Sequence, residues 1–404
     1  MVRNGGATYL QILDPFPASR RNRHRMIRRF VLLLLTVAVL SVFFLVTLVG
    51  IDDEFHGYET SQTYQKEKDS NLKMILVGDT GGMPIIHTTS AQNRAAKTMS
   101  DMSDERGLDL VINTGDNIYY TGAVDEFDDR FQTSFEKPYT AIDVPWYMIA
   151  GNHDHFGNIS AQIAYTNHSR KWKFPSLYYK VSEKTKDGAT IDILMIDTIV
   201  LCGNSRDIEF AGFWKMVTAK SHTPEGPVNV TAANLQYKWL ETNLKNSTAD
   251  YLFVVGHYPV YSVSSHGPTQ CMIDNVIPYL AKYNVTAYIS GHDHSLQHFV
   301  GPNPIHKDKE INYIVTGAGS RSDPSGKNKN SIPGDVTTKF HFPKSGWIIK
   351  QLGFSDAGFI YTAINSHMAD LSFVDKKGRI LYATYLYPRK GRISKETEST
   401  TPPV

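Results

Sequence analysis

The sequence predicts an α/β protein built on a mixed β-sheet, or two sheets, with helices outside, preceded by one transmembrane helix. Three observations carry this. From Asn71 onward, short apolar runs of strand type alternate with stretches of helical spacing. Towards the end, the runs Phe359–Ile364, His367–Val374 and Arg379–Tyr387 read as antiparallel strands, the last two joined by a turn at Lys376-Lys377-Gly378. Near the start, Phe30–Gly50 is 21 residues without a charge, enough to span a hydrocarbon core as a helix.

The 404 residues allow one large domain with appendages. The formal charge of +2 is unevenly spread: residues 1–29 hold seven Arg and one Asp, and the remainder has a net charge of −4. That leaves no basic surface for nucleic acid, and no such partner is expected. Arg20, Arg21, Arg23, Arg25, Arg28 and Arg29 precede the apolar run; Asp52, Asp53 and Glu54 follow it. The positive-inside bias puts residues 1–29 in the cytosol as a basic tail and the bulk of the chain in a lumen or outside the cell. A cleaved signal peptide would have a shorter apolar core and a small-residue cleavage site. The run therefore reads as a signal anchor of a single-pass type II protein, endolysosomal or at the cell surface, with secretion after cleavage the lesser alternative.

Residues 51–70 read as a stalk, 71–387 as the folded domain and 388–404 as a flexible polar tail. All five Asn-x-Ser/Thr sequons, at Asn158, Asn167, Asn229, Asn246 and Asn284, follow the apolar run, as in a glycoprotein. Cys202 and Cys271 also follow it. An oxidising compartment would let them pair; the other reading is two buried thiols.

Within the domain, Leu72–Gly78 and Leu108–Gly115 are strands. Between them Ser90–Arg106 has helical spacing and stops at Gly107, a C-terminal cap. Val124–Phe135 is acidic and helix-like. Val144–Gly151, Ile191–Asp197, Tyr251–Gly256 and Val285–Gly291 are strands, and Asn234–Leu244 and Asp274–Lys282 are helices.

Five strands end alike. Gly78 leads to Asp79, and Gly115 to Asp116 with Tyr119 three residues on. Gly151 leads to Asn152-His153-Asp154, Gly256 to His257, and Gly291 to His292-Asp293-His294. Glycine lets the backbone turn sharply where a ligand is presented. Side chains at strand ends of an α/β sheet converge on one crevice. Carboxylate, amide oxygen, imidazole and phenol are donors for hard or borderline metal ions. Singly, each piece has a plainer meaning: an Asp after a strand normally makes hydrogen bonds, and a His-x-His is often two surface residues. Ile191–Asp197 also ends in an acid, without the glycine, and is not read as a ligand. The repetition points to a metal centre, with Asp116 shared between two ions and Tyr119 a phenolate donor to one.

The blocks Gly78-Asp79-Thr80-Gly81-Gly82, Gly115-Asp116-Asn117-Ile118-Tyr119, Gly151-Asn152-His153-Asp154, Gly256-His257-Tyr258-Pro259 and Gly291-His292-Asp293-His294 resemble the five blocks of the purple acid phosphatases, on the animal tartrate-resistant type 5 branch. The resemblance covers most of residues 71–387. It implies a calcineurin-like metallophosphoesterase fold, two mixed β-sheets packed as a sandwich flanked by helices. It implies that Asp79, Asp116, Tyr119 and His294 bind a ferric ion. Asp116, Asn152, His257 and His292 would bind a divalent ion (iron, zinc or manganese). His153 and His266 would face the substrate phosphate, and Cys202 and Cys271 would form that branch's disulfide. The implied activity is an acid phosphatase acting on phosphate monoesters, by in-line attack of a hydroxide made at the metal pair. His153 and His266 are the candidates to protonate the leaving group; ordinary imidazoles, near pKa ~6.5, would be charged in an acidic lumen.

The chemistry of the residues agrees. Related two-metal phosphoesterases begin with Asp-x-His, whereas Gly81 stands at the place of that histidine. One ion then needs another donor, and a phenolate favours a trivalent ion. Two departures stand out. Thr80 replaces the family's usual aromatic residue. Glu209–Val230 corresponds to a loop that restrains the animal enzymes until it is cleaved, but its sequence here does not carry that regulation over. The rival readings are a phosphodiesterase or nucleotide hydrolase on the same site, and a non-catalytic membrane-anchored binding domain.

Overall fold

The computed structural model describes Arg29 and residues 71–83, 87–205, 223–344 and 356–389. The predicted transmembrane helix Phe30–Gly50, the stalk and most of the Glu209–Val230 loop lie outside the described residues. Among those described, no helix is long and apolar enough to cross a membrane. All elements below belong to the compact unit Gln62–Val404.

The strands, in chain order, are β1 (Leu72–Val77), β2 (Leu110–Asn113), β3 (Trp146–Tyr147), β4 (Trp172–Lys173), β5 (Tyr179–Lys184), β6 (Thr190–Met195) and β7 (Tyr251–Val255). They continue with β8 (Ala287–Ser290), β9 (Leu296–Pro302), β10 (Glu310–Thr316), β11 (Thr337–Phe342), β12 (Gly358–Ile364), β13 (Ala369–Asp375) and β14 (Ile380–Leu386). They form two seven-stranded sheets, ordered β14-β13-β12-β1-β2-β3-β4 and β11-β9-β10-β8-β7-β6-β5. β1 to β4 run parallel to one another, as do β6, β7, β8 and β10; the remaining pairs are antiparallel.

Alternation along each strand builds the layers. Leu72, Met74, Leu76 and Ile112 meet Ile191, Ile193, Phe253 and Val255 in a core between the sheets. The intervening Ile75, Val77 and Val111 face outward onto Met99 and Met102 of helix Ser90–Arg106, and onto Phe131 and Phe135. On the far side, Leu194, Leu252 and Val254 pack on Leu240 and Leu244 of helix Val230–Asn246. Both faces of these strands are buried, which is why they read as continuous apolar runs.

Helix Ser90–Arg106 keeps its predicted bounds: Thr89 Oγ1 accepts from Gln92 N at 2.9 Å, and Gly107 ends it at φ 84°. Helix Val230–Asn246 begins before the predicted Asn234 because Asn229 caps it, accepting from Ala232 N at 3.0 Å. The predicted helix Val124–Phe135 is helical only from Asp129 onward, ending in the π-helix Phe131–Glu136, and its acidic first part is turns. Asp128 accepts from Val124 N and Arg130 N, and Asp125 from Phe127 N, so the acids satisfy the backbone locally and compete with a helix. Asp274–Lys282 is split between helices Gln270–Asn275 and Ile277–Lys282, with Pro278 in the first turn of the second. β9 went unpredicted because it carries Gln297 and His298 into the interior, each with its own polar partners.

The disulfide Cys202–Cys271 ties the end of helix Thr198–Cys202 to helix Gln270–Asn275 across a separation of 69 residues. Closing a loop of that length restricts the unfolded chain by about 4 kcal/mol. Replacing both cysteines with serine should lower the unfolding free energy by about that amount. The urea midpoint measures it, and an unchanged midpoint would contradict the estimate of lost chain freedom.

Candidate metal centre

The site lies at the C-terminal ends of β1 and β2 of one sheet and β7 and β8 of the other, and Asn152 and His153 arrive on the loop after β3. Bonds between the sheets hold these ends together. Gly78 N donates to Thr316 O at 2.8 Å, Gly319 N to Gly78 O at 3.1 Å and Thr316 Oγ1 to Leu76 O at 2.9 Å.

The leading glycines act differently from the sequence expectation. Of those five, Gly115 alone has a positive φ, 95°. Asp79, Asp116 and His292 themselves turn the chain, at φ 58°, 55° and 67°. That left-handed backbone costs a non-glycine residue of order 1–3 kcal/mol. The glycines supply space instead: a Cβ at Gly78 would collide with Thr114, at Gly151 with Asp116, and at Gly291 with Asp79.

All seven predicted donors come together, and all are buried. Tyr119 Oη donates to Asp79 Oδ1 at 2.9 Å and lies 3.4 Å from His294 Nε2. Asn152 Oδ1 lies 2.9 Å from His257 Nε2 and 3.0 Å from His292 Nδ1. Asp116 stands between these sets, with Oδ1 3.4 Å from His257 Nε2. Ligand-type atoms of Asp79, Asp116 and His257 all lie within 4.8 Å of one another.

Burial pushes each of these groups towards its neutral form. Burial, then the charge of Asp116, raises Asp79 well above the carboxylate range, and burial raises Asp116. Burial, then Asp79 and Asp116, pushes the Tyr119 phenol well above its usual range. Burial lowers His257 to about 4, and lowers His292 and His294 well below the usual imidazole value. His257 Nδ1 faces Thr114 O at 2.8 Å, so that nitrogen carries the proton. Its Nε2 lone pair is thereby aimed at the Asn152 oxygen, another acceptor. Two acceptors cannot bond each other, but a cation between them satisfies both. The donor set fits a metal.

His153 and His266 flank the donors. His153 Nδ1 bonds Tyr120 O at 2.8 Å, and its Nε2 lies 3.9 Å from Asp116 Oδ2. Burial lowers His153 to about 4, below the ordinary imidazole value that the sequence reading assumes. His266 is half-buried, its ring centre 4.1 Å from that of His292. Asp197, not read as a ligand, caps helix Thr198–Cys202 and bonds His155 Nε2 at 2.7 Å. Thr80 Oγ1 accepts from Asn113 Nδ2 at 3.0 Å.

Three residues went unassigned in the sequence. Asp154 accepts from Gly151 N at 2.8 Å, Ile118 N at 3.1 Å and Gln162 Nε2 at 2.8 Å, locking the second block to the third. Asp293 accepts from His266 N at 3.0 Å and Gly267 N at 3.2 Å, and so sets the His266 loop. Arg321 reaches His294 and Tyr120 from the turn after β10. That turn also follows a strand with a glycine, Thr316-Gly317, but Ala318 stands where the other five carry a ligand-type side chain, and the sequence had not revealed the strand.

Gly81 explains how Tyr119 gets in. A Cβ there would lie 2.7 Å from Tyr119 N and 2.8 Å from Ile118 N, and Tyr119 N donates to Gly81 O at 3.2 Å. Gly81→Ala should push this loop outward and destabilise the fold by about 1–3 kcal/mol. Gly326→Ala is the control, since its Cβ would meet nothing within 4 Å. Equal urea midpoints for the two variants would refute the contact.

The family model described as calcineurin-like phosphoesterase matches residues 72–296. Tartrate-resistant acid phosphatase type 5 of Rattus norvegicus is 38% identical over 328 residues, covering 80% of this chain and 92% of that protein. Purple acid phosphatase 17 of Arabidopsis thaliana is 27% identical, covering 73% of this chain and 82% of that one. Among solved structures, GAP50, the anchor in the inner membrane complex of Plasmodium, has the same fold. Its TM-score is 0.60 at 20% identity, covering 79% of this chain and 90% of that one. With these matches and the site's geometry in agreement, the chain belongs to the calcineurin-like phosphoesterases, in the purple acid phosphatase family that includes the tartrate-resistant type 5 enzymes.

Proposed function

We propose that this chain is an acid phosphatase that hydrolyses phosphate monoesters at a binuclear metal centre. The observation that carries the reading is the meeting of seven buried donors in two sets about Asp116, with the His257 Nε2 lone pair facing the Asn152 oxygen. Asp79, Tyr119, His294 and Asp116 would hold Fe(III). Asn152, His257, His292 and Asp116 would hold the divalent ion: iron, zinc or manganese. When bound, such a pair supplies an activated water and electrostatic stabilisation of the transferring phosphoryl group.

The chain's own residues do the rest. Burial, then Asp79 and Asp116, hold the Tyr119 phenol protonated, so only a strongly Lewis-acidic cation would displace that proton to water and be held by the phenolate. The bond from His257 Nδ1 to Thr114 keeps Nε2 free as a donor. Asp154 and Asp293 fix the loops that carry Asn152 and His266. His266, half-buried with its ring centre 4.1 Å from that of His292, and His153, held by Nδ1 on Tyr120 with Nε2 towards Asp116, are the two candidates to protonate the leaving alkoxide.

The reading extends to location. The disulfide suits an oxidising compartment, and the sequon residues Asn158, Asn167, Asn229 and Asn246 are exposed where glycans could attach. Together with the apolar run Phe30–Gly50 and its basic flank, they support a type II membrane glycoprotein with a lumenal or extracellular catalytic domain.

Assayed across about pH 4–8, the purified, metal-analysed protein should turn over p-nitrophenyl phosphate faster than bis-p-nitrophenyl phosphate, with its optimum on the acidic side of neutrality. Metal-replete protein inert to both would end the enzyme reading. Iron-loaded protein should also show a visible tyrosinate charge-transfer band, and Tyr119→Phe should abolish it. An iron-containing wild type without that band would remove Tyr119 from the ligand set.

A further inference from the structure

Arg321 enters the site on Gly317-Ala318-Gly319-Ser320, from a direction the seven donors do not use. Its Nη1 donates to Tyr120 Oη at 2.7 Å. Its guanidinium carbon lies 5.2 Å from the ring centre of Tyr119 and 5.4 Å from that of Tyr120. Its Nη2 is 3.0 Å from His294 Nε2. Tyr120 in turn stands edge-on to His153, ring centres 5.3 Å apart. The half-buried guanidinium therefore sits beside His153, bonded directly to a phenol and an imidazole, with the carboxylates of Asp79 and Asp116 acting on it at longer range.

The imidazole bond is exclusive. His294 Nε2 has one lone pair, and if a cation takes it, the N–H groups of Arg321 facing it lose their acceptor. A partly buried guanidinium without an acceptor is costly, and its planar fork matches two phosphate oxygens. The bond to Tyr120 does not depend on His294 and keeps the side chain at the rim.

We propose that Arg321, hinged on Tyr120, binds the oxygens of the substrate's phosphoryl group and makes the site select phosphate monoesters over diesters. A monoester dianion carries twice the charge of a diester, so a fixed cation beside the site favours it. The proposal rests on the phosphatase reading above.

The test compares metal-loaded wild type with Arg321→Leu, Arg321→Lys and Tyr120→Phe. The readouts are metal content, equilibrium binding of inorganic phosphate, and KM and kcat on p-nitrophenyl phosphate and its bis ester. At full metal content, Arg321→Leu should weaken phosphate binding and raise the monoester KM roughly ten- to hundred-fold. Its kcat should stay within about three-fold, and the diester KM should rise clearly less than the monoester KM. Arg321→Lys should recover part of the loss, and Tyr120→Phe should shift KM in the same direction by less. Unchanged phosphate affinity, or equal losses on both esters, would overturn the proposal. So would loss of metal from both Arg321→Leu and Tyr120→Phe, which would make Arg321 part of the metal site. A wild type that turns over neither ester removes the phosphatase reading, while phosphate affinity still decides the role of Arg321.

Discussion

Side chains that would each lower their energy by staying neutral are packed into one space between the ends of two sheets. Asp79, Asp116, Tyr119 and three imidazoles share it, and burial opposes the charge on every one. Such a cluster needs a frame that cannot relax. The frame comes from outside the cluster. Asp154 and Asp293 hold three loops by their backbone N–H groups, and β1 is bonded to the end of β10 across the sandwich. Asp154 is itself raised to about 6, by burial first and by Asp116 second, so the frame carries part of the same electrostatic cost.

The sandwich makes this economical. Each sheet brings parallel strands whose C-terminal ends open on the same side, and these central strands bury both faces. A strand held by apolar packing on two faces can end in a strained left-handed residue without fraying. That is the situation of Asp79 after β1 and Asp116 after β2.

The site was legible in the sequence because its donors follow strands and are led by glycines, and both are local signals. The helix Ser90–Arg106 was legible for a similar reason, with Thr89 and Gly107 marking its ends. What escaped depended on partners distant in the chain. Asp154 and Asp293 lay within quoted blocks, but their partners are backbone N–H groups, which look alike in every residue. β9 went unread because Gln297 and His298 break its apolar pattern with buried polar pairs, whereas β10 keeps a legible apolar run, Ile311, Tyr313, Ile314 and Val315, that the sequence reading misses. With β10 missing, the turn that delivers Arg321 had no strand to follow. The acidic stretch after Val124 shows the opposite error: composition suggested a helix, and the acids bonded their own backbone.

Gly81 and Tyr119 are 38 positions apart in the chain, yet each sets the limit on the other. A histidine at position 81 would put its Cβ into the backbone that carries Tyr119 inward. Any side chain at position 81 would press on the backbone of Ile118 and Tyr119 before it reached the centre itself. The position of the phenol is therefore set as much by the side chain missing at 81 as by the tyrosine.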